Sequence, residues 1–146
     1  GAQQGLNFRT PDRSGWTRMR VLIADDEPLI RSLLQNILTG FGHTVIVAEN
    51  GREAFALLSA ADAAFDAVIS DIRMPELDGR GLIQKLRAAG MQIPVILVTG
   101  HMQVDPADAE KYGAWRILHK PFRAADLLSA LSTLDAIAQD SARNKP

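Results

Sequence analysis

From Arg20 onward the chain alternates short β-rich runs with stretches whose apolar residues recur at helical spacing, and it does so five times. The runs are Val21-Leu22-Ile23-Ala24, Val45-Ile46-Val47, Ala67-Val68-Ile69-Ser70, Val95-Ile96-Leu97-Val98 and a weaker Trp115-Arg116-Ile117-Leu118. Three of them are continuously apolar, which suits interior strands of a parallel sheet covered on both faces. Between them, Leu29, Ile30, Leu33, Leu34, Ile37, Leu38 and Phe41 mark a first helix, closed by Gly40 and Gly42. Ala54, Phe55, Leu57 and Leu58 mark a second, and Leu82, Ile83 and Leu86 a third. A fourth, around 106–112, is short and polar, and the last carries Leu127, Leu128, Leu131, Leu134 and Ile137. A β-α unit repeated in this way predicts right-handed crossovers and an α/β fold, a doubly wound five-stranded parallel sheet with helices on both faces. Ligands in such sheets sit at the carboxyl ends of the strands, near the topological switch point.

The residues at those ends are Asp25, Asp26 and Glu27 after the first run, Asp71 after the third, Thr99 after the fourth and Lys120-Pro121 after the fifth. Each has an ordinary structural explanation when taken alone. Asp26 could cap the helix that opens at Glu27-Pro28. Asp71 could begin a turn toward Pro75, Thr99-Gly100 could be a plain strand exit, and Lys120 a solvated edge charge. Four such residues, each at the carboxyl end of its own strand, would be gathered by the fold into one crevice.

The stretches LIADDEP, VISDIRMPELDG, ILVTG and HKPF together resemble the receiver domain of two-component response regulators, over about residues 19–138. The resemblance implies the flavodoxin-like strand order 2-1-3-4-5, with Asp71 as phosphoacceptor. It implies that Asp25 and Asp26, with Asp71 and the backbone carbonyl of Arg73, bind Mg²⁺ or Mn²⁺. Thr99 then corresponds to the switch hydroxyl, Lys120 to the phosphate-binding lysine, and the Lys120-Pro121 bond is expected to be cis. Arg73 and His101 occupy positions that tune dephosphorylation in the family. A histidine kinase or a histidine phosphotransfer protein is the implied donor.

The chemistry of these residue types supports the same roles. Carboxylates within roughly 4 Å of one another repel by about 4 kcal/mol per pair at an effective dielectric near 20. Without a counter-charge, one of them would take up a proton. A hard divalent cation relieves the repulsion while using few protein ligands, and it can offset charge on a transferring phosphoryl group. Lys120 offers a compact positive charge to a second phosphoryl oxygen, and the Thr99 hydroxyl can donate to a third. No general base stands out, as expected where a carboxylate attacks directly and the acyl phosphate hydrolyses slowly. The chain therefore reads as a signalling domain rather than a turnover enzyme. A phosphatase of the haloacid dehalogenase type would need an Asp-x-Asp on the first strand, whereas here the pair is adjacent and the nucleophile lies on the third. A pseudo-receiver scaffold would lack some of the chemical residues, and all are present.

The remaining features set limits. A chain of 146 residues with 47% hydrophobic residues suits one globular domain, and the absence of cysteine excludes disulfides and thiolate metal sites. A net charge of −1 gives no bulk attraction to nucleic acid or an anionic membrane. Arg9, Arg13, Arg18 and Arg20 lack a recognition helix, so direct nucleic-acid binding is not expected. No apolar run approaches the roughly 20 residues that span a bilayer, nothing reads as a signal peptide, and a cytoplasmic location is expected. His43, His101 and His119 lack metal-ligand spacing. Gly79 is expected to supply a backbone conformation that other residues resist. Residues 1–18 read as a tail or linker, 19–138 as the receiver domain and 139–146 as a second tail. The chain does not begin with Met, so either Met19 is a natural start or the chain is cut from a longer protein such as a hybrid histidine kinase. Output is expected through the face of the fourth helix, fifth strand and fifth helix, with a phosphorylation-linked homodimer as one form. Ile117 departs from the family pattern, which often places Tyr or Phe three residues before the lysine. Trp115 and Ile117, two apart in one run, are expected to face the same side of the sheet.

Overall fold

The computed structural model describes residues 18–60 and 62–143, with side chains through 140. The expected N-terminal tail, apart from Arg18, and the last three residues lie outside the described residues. Five parallel strands, β1 (Arg20–Ala24), β2 (Thr44–Ala48), β3 (Ala67–Asp71), β4 (Val95–Thr99) and β5 (Arg116–His119), stand in the order β2-β1-β3-β4-β5. The helices are α1 (Pro28–Gly40), α2 (Gly51–Leu58), α3 (Gly79–Ala88) and α4 (Ala124–Arg143), and a 3₁₀ segment spans Pro106–Tyr112. The doubly wound sheet with the 2-1-3-4-5 order is the fold that the repeat and the resemblance predict.

Alternation along the interior strands splits the core in two. Val21, Ile23, Ile69, Ile96 and Val98 face α1 and α4, meeting Leu34, Leu38, Leu127 and Leu131. Leu22, Val68, Val95 and Leu97 face α2 and α3, meeting Leu58, Leu82 and Leu86. Both faces are covered, so β3 and β4 are buried at every position. Each large aliphatic side chain buried here contributes about 1.5–3 kcal/mol. The edge strands β2 and β5 are only half-buried, which is why their runs are weaker in the sequence.

Local chemistry sets the helix ends. Pro28 opens α1 with its φ already fixed, and Gly42, at φ 89°, turns the chain away after it. Asn50 and Asp78 cap α2 and α3, accepting from Glu53 N and Gly81 N at 2.8 Å. The N-cap position before α1 is Glu27, which makes no side-chain cap bond, so Asp26 is not spent on capping.

The final helix runs almost to the C-terminus, to Arg143, as its pattern predicts, and a Gln139 Nε2 bond to Asp135 Oδ2 at 3.0 Å supports its polar last turns. Three sequence expectations are corrected. The fourth helical stretch is a 3₁₀ segment broken at Asp108 (φ −91°, ψ 18°), because its polar residues give it no apolar stripe to hold a regular helix on the sheet. Gly79 opens α3 without a left-handed φ; the left-handed residue of that loop is Glu76, at φ 68°. Trp115 and Ile117 pack against opposite cores, Trp115 toward α1 and α4 and Ile117 toward α3. Strand alternation begins only at Arg116, and Trp115 lies in the bend that leaves Gly113.

Candidate functional site

Asp25 follows β1, and its amide extends the pairing with β2 by donating to Ala48 O at 3.1 Å. Its side chain is 1% exposed. Oδ1 accepts from the Glu27 amide at 2.8 Å, while Oδ2 is buried without a hydrogen-bond partner. Arg31, one turn into α1, donates from Nη1 to the Asp25 carbonyl at 2.7 Å and ties the helix to the strand end. Asp26 is exposed and lines the cleft beside the two buried carboxylates.

Asp71 closes β3, also buried. Its Oδ1 accepts from Arg73 N at 3.2 Å and its Oδ2 from Lys120 Nζ at 3.1 Å. Gly79 lets this strand end approach α3, since a Cβ there would lie 2.6 Å from the Asp71 carbonyl oxygen and 2.9 Å from Leu97 Cδ2. Close approach, not a special φ, is what requires glycine. Beyond Asp71 the loop opens a cleft of about 390 Å³ lined by Asp26, Arg73, Met74, Pro75 and Asp78.

Thr99, fully buried at the end of β4, has its carbonyl bound by Lys120 N at 2.7 Å and its Oγ1 accepting from His101 N at 3.0 Å. The hydroxyl oxygen is thus engaged by its own loop. Lys120 follows β5, and its peptide bond to Pro121 is cis, as the resemblance implies. Its ammonium also lies 4.0 Å from Asp25 Oδ2 and 3.7 Å from Glu27 Oε1.

Asp25, Asp26 and Asp71 each place a carboxylate oxygen within 4.8 Å of the others. Burial pushes the Asp25 carboxyl up to about 6, and Asp71 and Glu27 add to that; the Glu27 amide and Lys120 oppose it. Burial works against the charge on Lys120, but the Asp71 carboxylate, with Asp25 and Glu27, holds its pKa above the usual lysine value. A buried carboxylate oxygen without a partner, beside two further carboxylates, fits a hard cation bound mainly through oxygen.

The structure therefore brings Asp25, Asp26, Asp71, Thr99 and Lys120 to one end of the sheet, with Arg73 on the adjoining cleft. Sequence reading placed Glu27 at the strand end without a role in the pocket, and missed Arg31 and His119. Glu27 sits next to the acidic pair and Arg31 four residues on, a spacing that returns to the same helix face. His119 carried no such signal.

The profile of the response regulator receiver domain family matches residues 21–132. The DNA-binding transcriptional regulator NtrC of Salmonella typhimurium is 39% identical over 103 residues, 70% of this chain but 22% of that protein. The chain thus spans about a fifth of the length of this curated relative. Among solved structures, the receiver domain of the Francisella response regulator 1452 superposes with a TM-score of 0.76 at 28% identity, covering 83% of this chain and 99% of that one. The response regulator TrrA of Thermotoga maritima, solved in complex with Mg²⁺-BeF, gives a TM-score of 0.70 at 31% identity, covering 80% and 98%. Shared strand order, matched sequence and superposed backbone agree: this chain belongs to the receiver domains of two-component response regulators.

Proposed function

We propose that the pocket accepts a phosphoryl group on Asp71 from a phosphohistidine of a histidine kinase or histidine phosphotransfer protein. The observation that carries this is the Asp71 carboxylate held by Lys120 at 3.1 Å, beside a buried Asp25 oxygen with no hydrogen-bond partner. Asp25, Asp26 and Asp71, with the Arg73 carbonyl, would hold Mg²⁺ (or Mn²⁺). Bound there, the cation would relieve carboxylate repulsion and offset charge on the phosphoryl oxygens.

The chain's own groups do the remaining work. Asp71 attacks phosphorus; an O–P bond forms, the N–P bond breaks, and the imidazole nitrogen keeps the bonding pair. Lys120 already faces the attacking carboxylate and neutralises a phosphoryl oxygen as it arrives. Thr99, whose Oγ1 accepts from the His101 amide, would donate its hydroxyl proton to a phosphoryl oxygen, drawing the loop after β4 toward the pocket. Such a site would act as a switch reset by slow hydrolysis rather than as a turnover enzyme, and a histidine-kinase or phosphotransfer donor supports a cytoplasmic location. Relatives that bind DNA carry this domain on a small part of a longer chain, so we assign no nucleic-acid contact to the receiver itself. Among the described residues, no helix is long and apolar enough to cross a membrane. Output would leave through the 3₁₀ segment, β5 and α4, with a homodimer as one form; sedimentation with and without beryllofluoride tests it, and an unchanged monomer argues for partner docking instead.

Phosphoramidate with Mg²⁺ should add one hydroxylamine-labile phosphoryl group. Asp71→Asn should fold and take no label. Undiminished labelling of that variant at another residue overturns the assignment.

A further inference from the structure

His119 is the last residue of β5, directly before Lys120, and its ring reaches across to the loop that follows β4. His119 Nε2 lies 2.7 Å from the carbonyl oxygen of His101. A carbonyl can only accept, and Nδ1 also faces one, that of Lys120, at the longer 3.3 Å, so the proton is assigned to Nε2 at the shorter contact. The same carbonyl also accepts from Val104 N at 3.2 Å, closing the turn 101–104. Two residues earlier, the His101 amide donates to Thr99 Oγ1 at 3.0 Å. One residue thus carries both anchors of the loop: its N–H holds the Thr99 hydroxyl oxygen, and its carbonyl is held by His119.

This arrangement has a consequence for switching. When the Thr99 hydroxyl swings to donate its proton to a phosphoryl oxygen, the oxygen that accepts from the His101 amide moves with it, and the loop is drawn along. The β5 strand cannot follow freely, because it is paired with β4 in register from Ile96↔Arg116 to Thr99↔His119. Loop movement therefore stretches or breaks the His119–His101 bond while His119 stays with the sheet.

We infer that His119 is a positioning residue that holds the loop after β4 in its resting arrangement and opposes activation of the switch. The inference rests on the proposed phosphoacceptor reading, in which Thr99 turns toward the phosphoryl group. Its chemistry is a single N–H donated to a loop carbonyl, so a ring without the donor should release the loop, and a side-chain amide of suitable reach should hold it again.

The test uses the full chain with beryllofluoride and Mg²⁺ as the probe, in wild type, His119→Phe and His119→Gln. Phenylalanine keeps a ring against the loop and removes the donor; glutamine returns an N–H. Apparent beryllofluoride affinity should rise about 2- to 10-fold in His119→Phe, the worth of one net hydrogen bond, and fall back toward wild type in His119→Gln. Without probe or metal, exchange of the His101 and Val104 amides should quicken in the Phe variant and recover in the Gln variant. In a Thr99→Ala background, His119→Phe should leave the affinity where Thr99→Ala alone puts it, which a merely structural role would not produce. The inference is overturned if wild type binds the probe and His119→Phe leaves affinity unchanged or lowers it. It also falls if the gain persists without the Thr99 hydroxyl. A wild-type chain that binds no beryllofluoride overturns the phosphoacceptor reading and this inference together, which separates the two failures.

Discussion

Lys120 Nζ stands 3.1 Å from Asp71 Oδ2 and 4.0 Å from Asp25 Oδ2, so one ammonium is shared by two buried carboxylates. A cation entering the pocket must share those carboxylates with a positive charge already in place. Lys120→Met keeps most of the side-chain volume and removes that charge. Mg²⁺ should bind this variant roughly 5- to 30-fold more tightly, equivalent to about 1–2 kcal/mol of relieved repulsion. Phosphoramidate labelling should nevertheless slow, because the phosphoryl oxygen loses its partner. Calorimetry at pH 8 and the labelling rate check the two halves. An unchanged Mg²⁺ affinity would mean that the ammonium does not weigh on the carboxylates.

Asp25 couples the pocket to pH. Its buried carboxyl is held at about 6 against an ordinary 3.8. Between about pH 4 and 6 the metal-free folded chain keeps a proton that the unfolded chain has lost. Stability therefore falls as pH rises through that window, by on the order of 2–3 kcal/mol. Asp25→Asn should flatten this slope while keeping the bond from the Glu27 amide. Proton and cation compete for the same carboxylate, so Mg²⁺ should bind about tenfold more weakly at pH 5 than at pH 7.5. Melts across pH 4–7.5 and calorimetry at the two ends decide. A metal-free stability that climbs with pH through the window would contradict burial as the dominant influence on Asp25.

The legible parts of this protein are those set by periodicity and topology. Val21–Ala24 and Val95–Val98 read as interior strands because both faces of the sheet need apolar residues. Asp25, Asp71, Thr99 and Lys120 could be brought together on paper because a doubly wound sheet sends every strand end to one edge. Features that depend on how a loop folds back were not legible. Trp115 follows a bend rather than the strand period, so pattern alone put it on the wrong face. The bonds from Arg31 to the Asp25 carbonyl and from His119 to the His101 carbonyl join side chains to backbone groups across loops, and no spacing rule encodes them. Gly79 was legible as a required glycine but not for its reason, since only the packed structure shows the Asp71 carbonyl against it.

That contact makes Gly79 a test of how tightly the acceptor is positioned. A methyl group placed 2.6 Å from a backbone oxygen and 2.9 Å from Leu97 Cδ2 cannot be accommodated without displacing β3, α3 or both. Gly79→Ala should destabilise the fold by about 1–3 kcal/mol. It should also slow labelling of the molecules that remain folded, because Asp71 moves relative to Lys120. Chemical denaturation and labelling at a temperature well below the transition separate the two effects. Wild-type stability in this variant would show that the strand end yields easily.

Ile117 occupies the position where an aromatic ring would be expected to move, and it is instead a core residue at 2% exposure. It packs in the core that contains Leu82, Ile83, Leu86 and Leu97. Trp115, two residues earlier, packs on the other side of the sheet, and its buried Nε1 has no hydrogen-bond partner. The two side chains therefore report different things. Ile117→Val removes one methyl group from a closed core and should cost about 0.5–1.5 kcal/mol in a denaturant melt. It should leave the response to beryllofluoride and Mg²⁺ intact, because no bond between the pocket and the loop passes through it. Trp115 lies just beyond the 3₁₀ segment that the Gly100–Asp105 loop leads into, with its amide held by Val95 O at 2.8 Å. Loop movement should thus reach its indole, and its emission should shift on beryllofluoride binding. A Trp16→Phe background removes the second indole from the signal. Thr99→Ala should lose most of the shift, because the hydroxyl that draws the loop is gone. The opposite pattern, with Ile117→Val silent and Thr99→Ala responsive, would place the route to the surface through the core beneath β5 rather than through the loop.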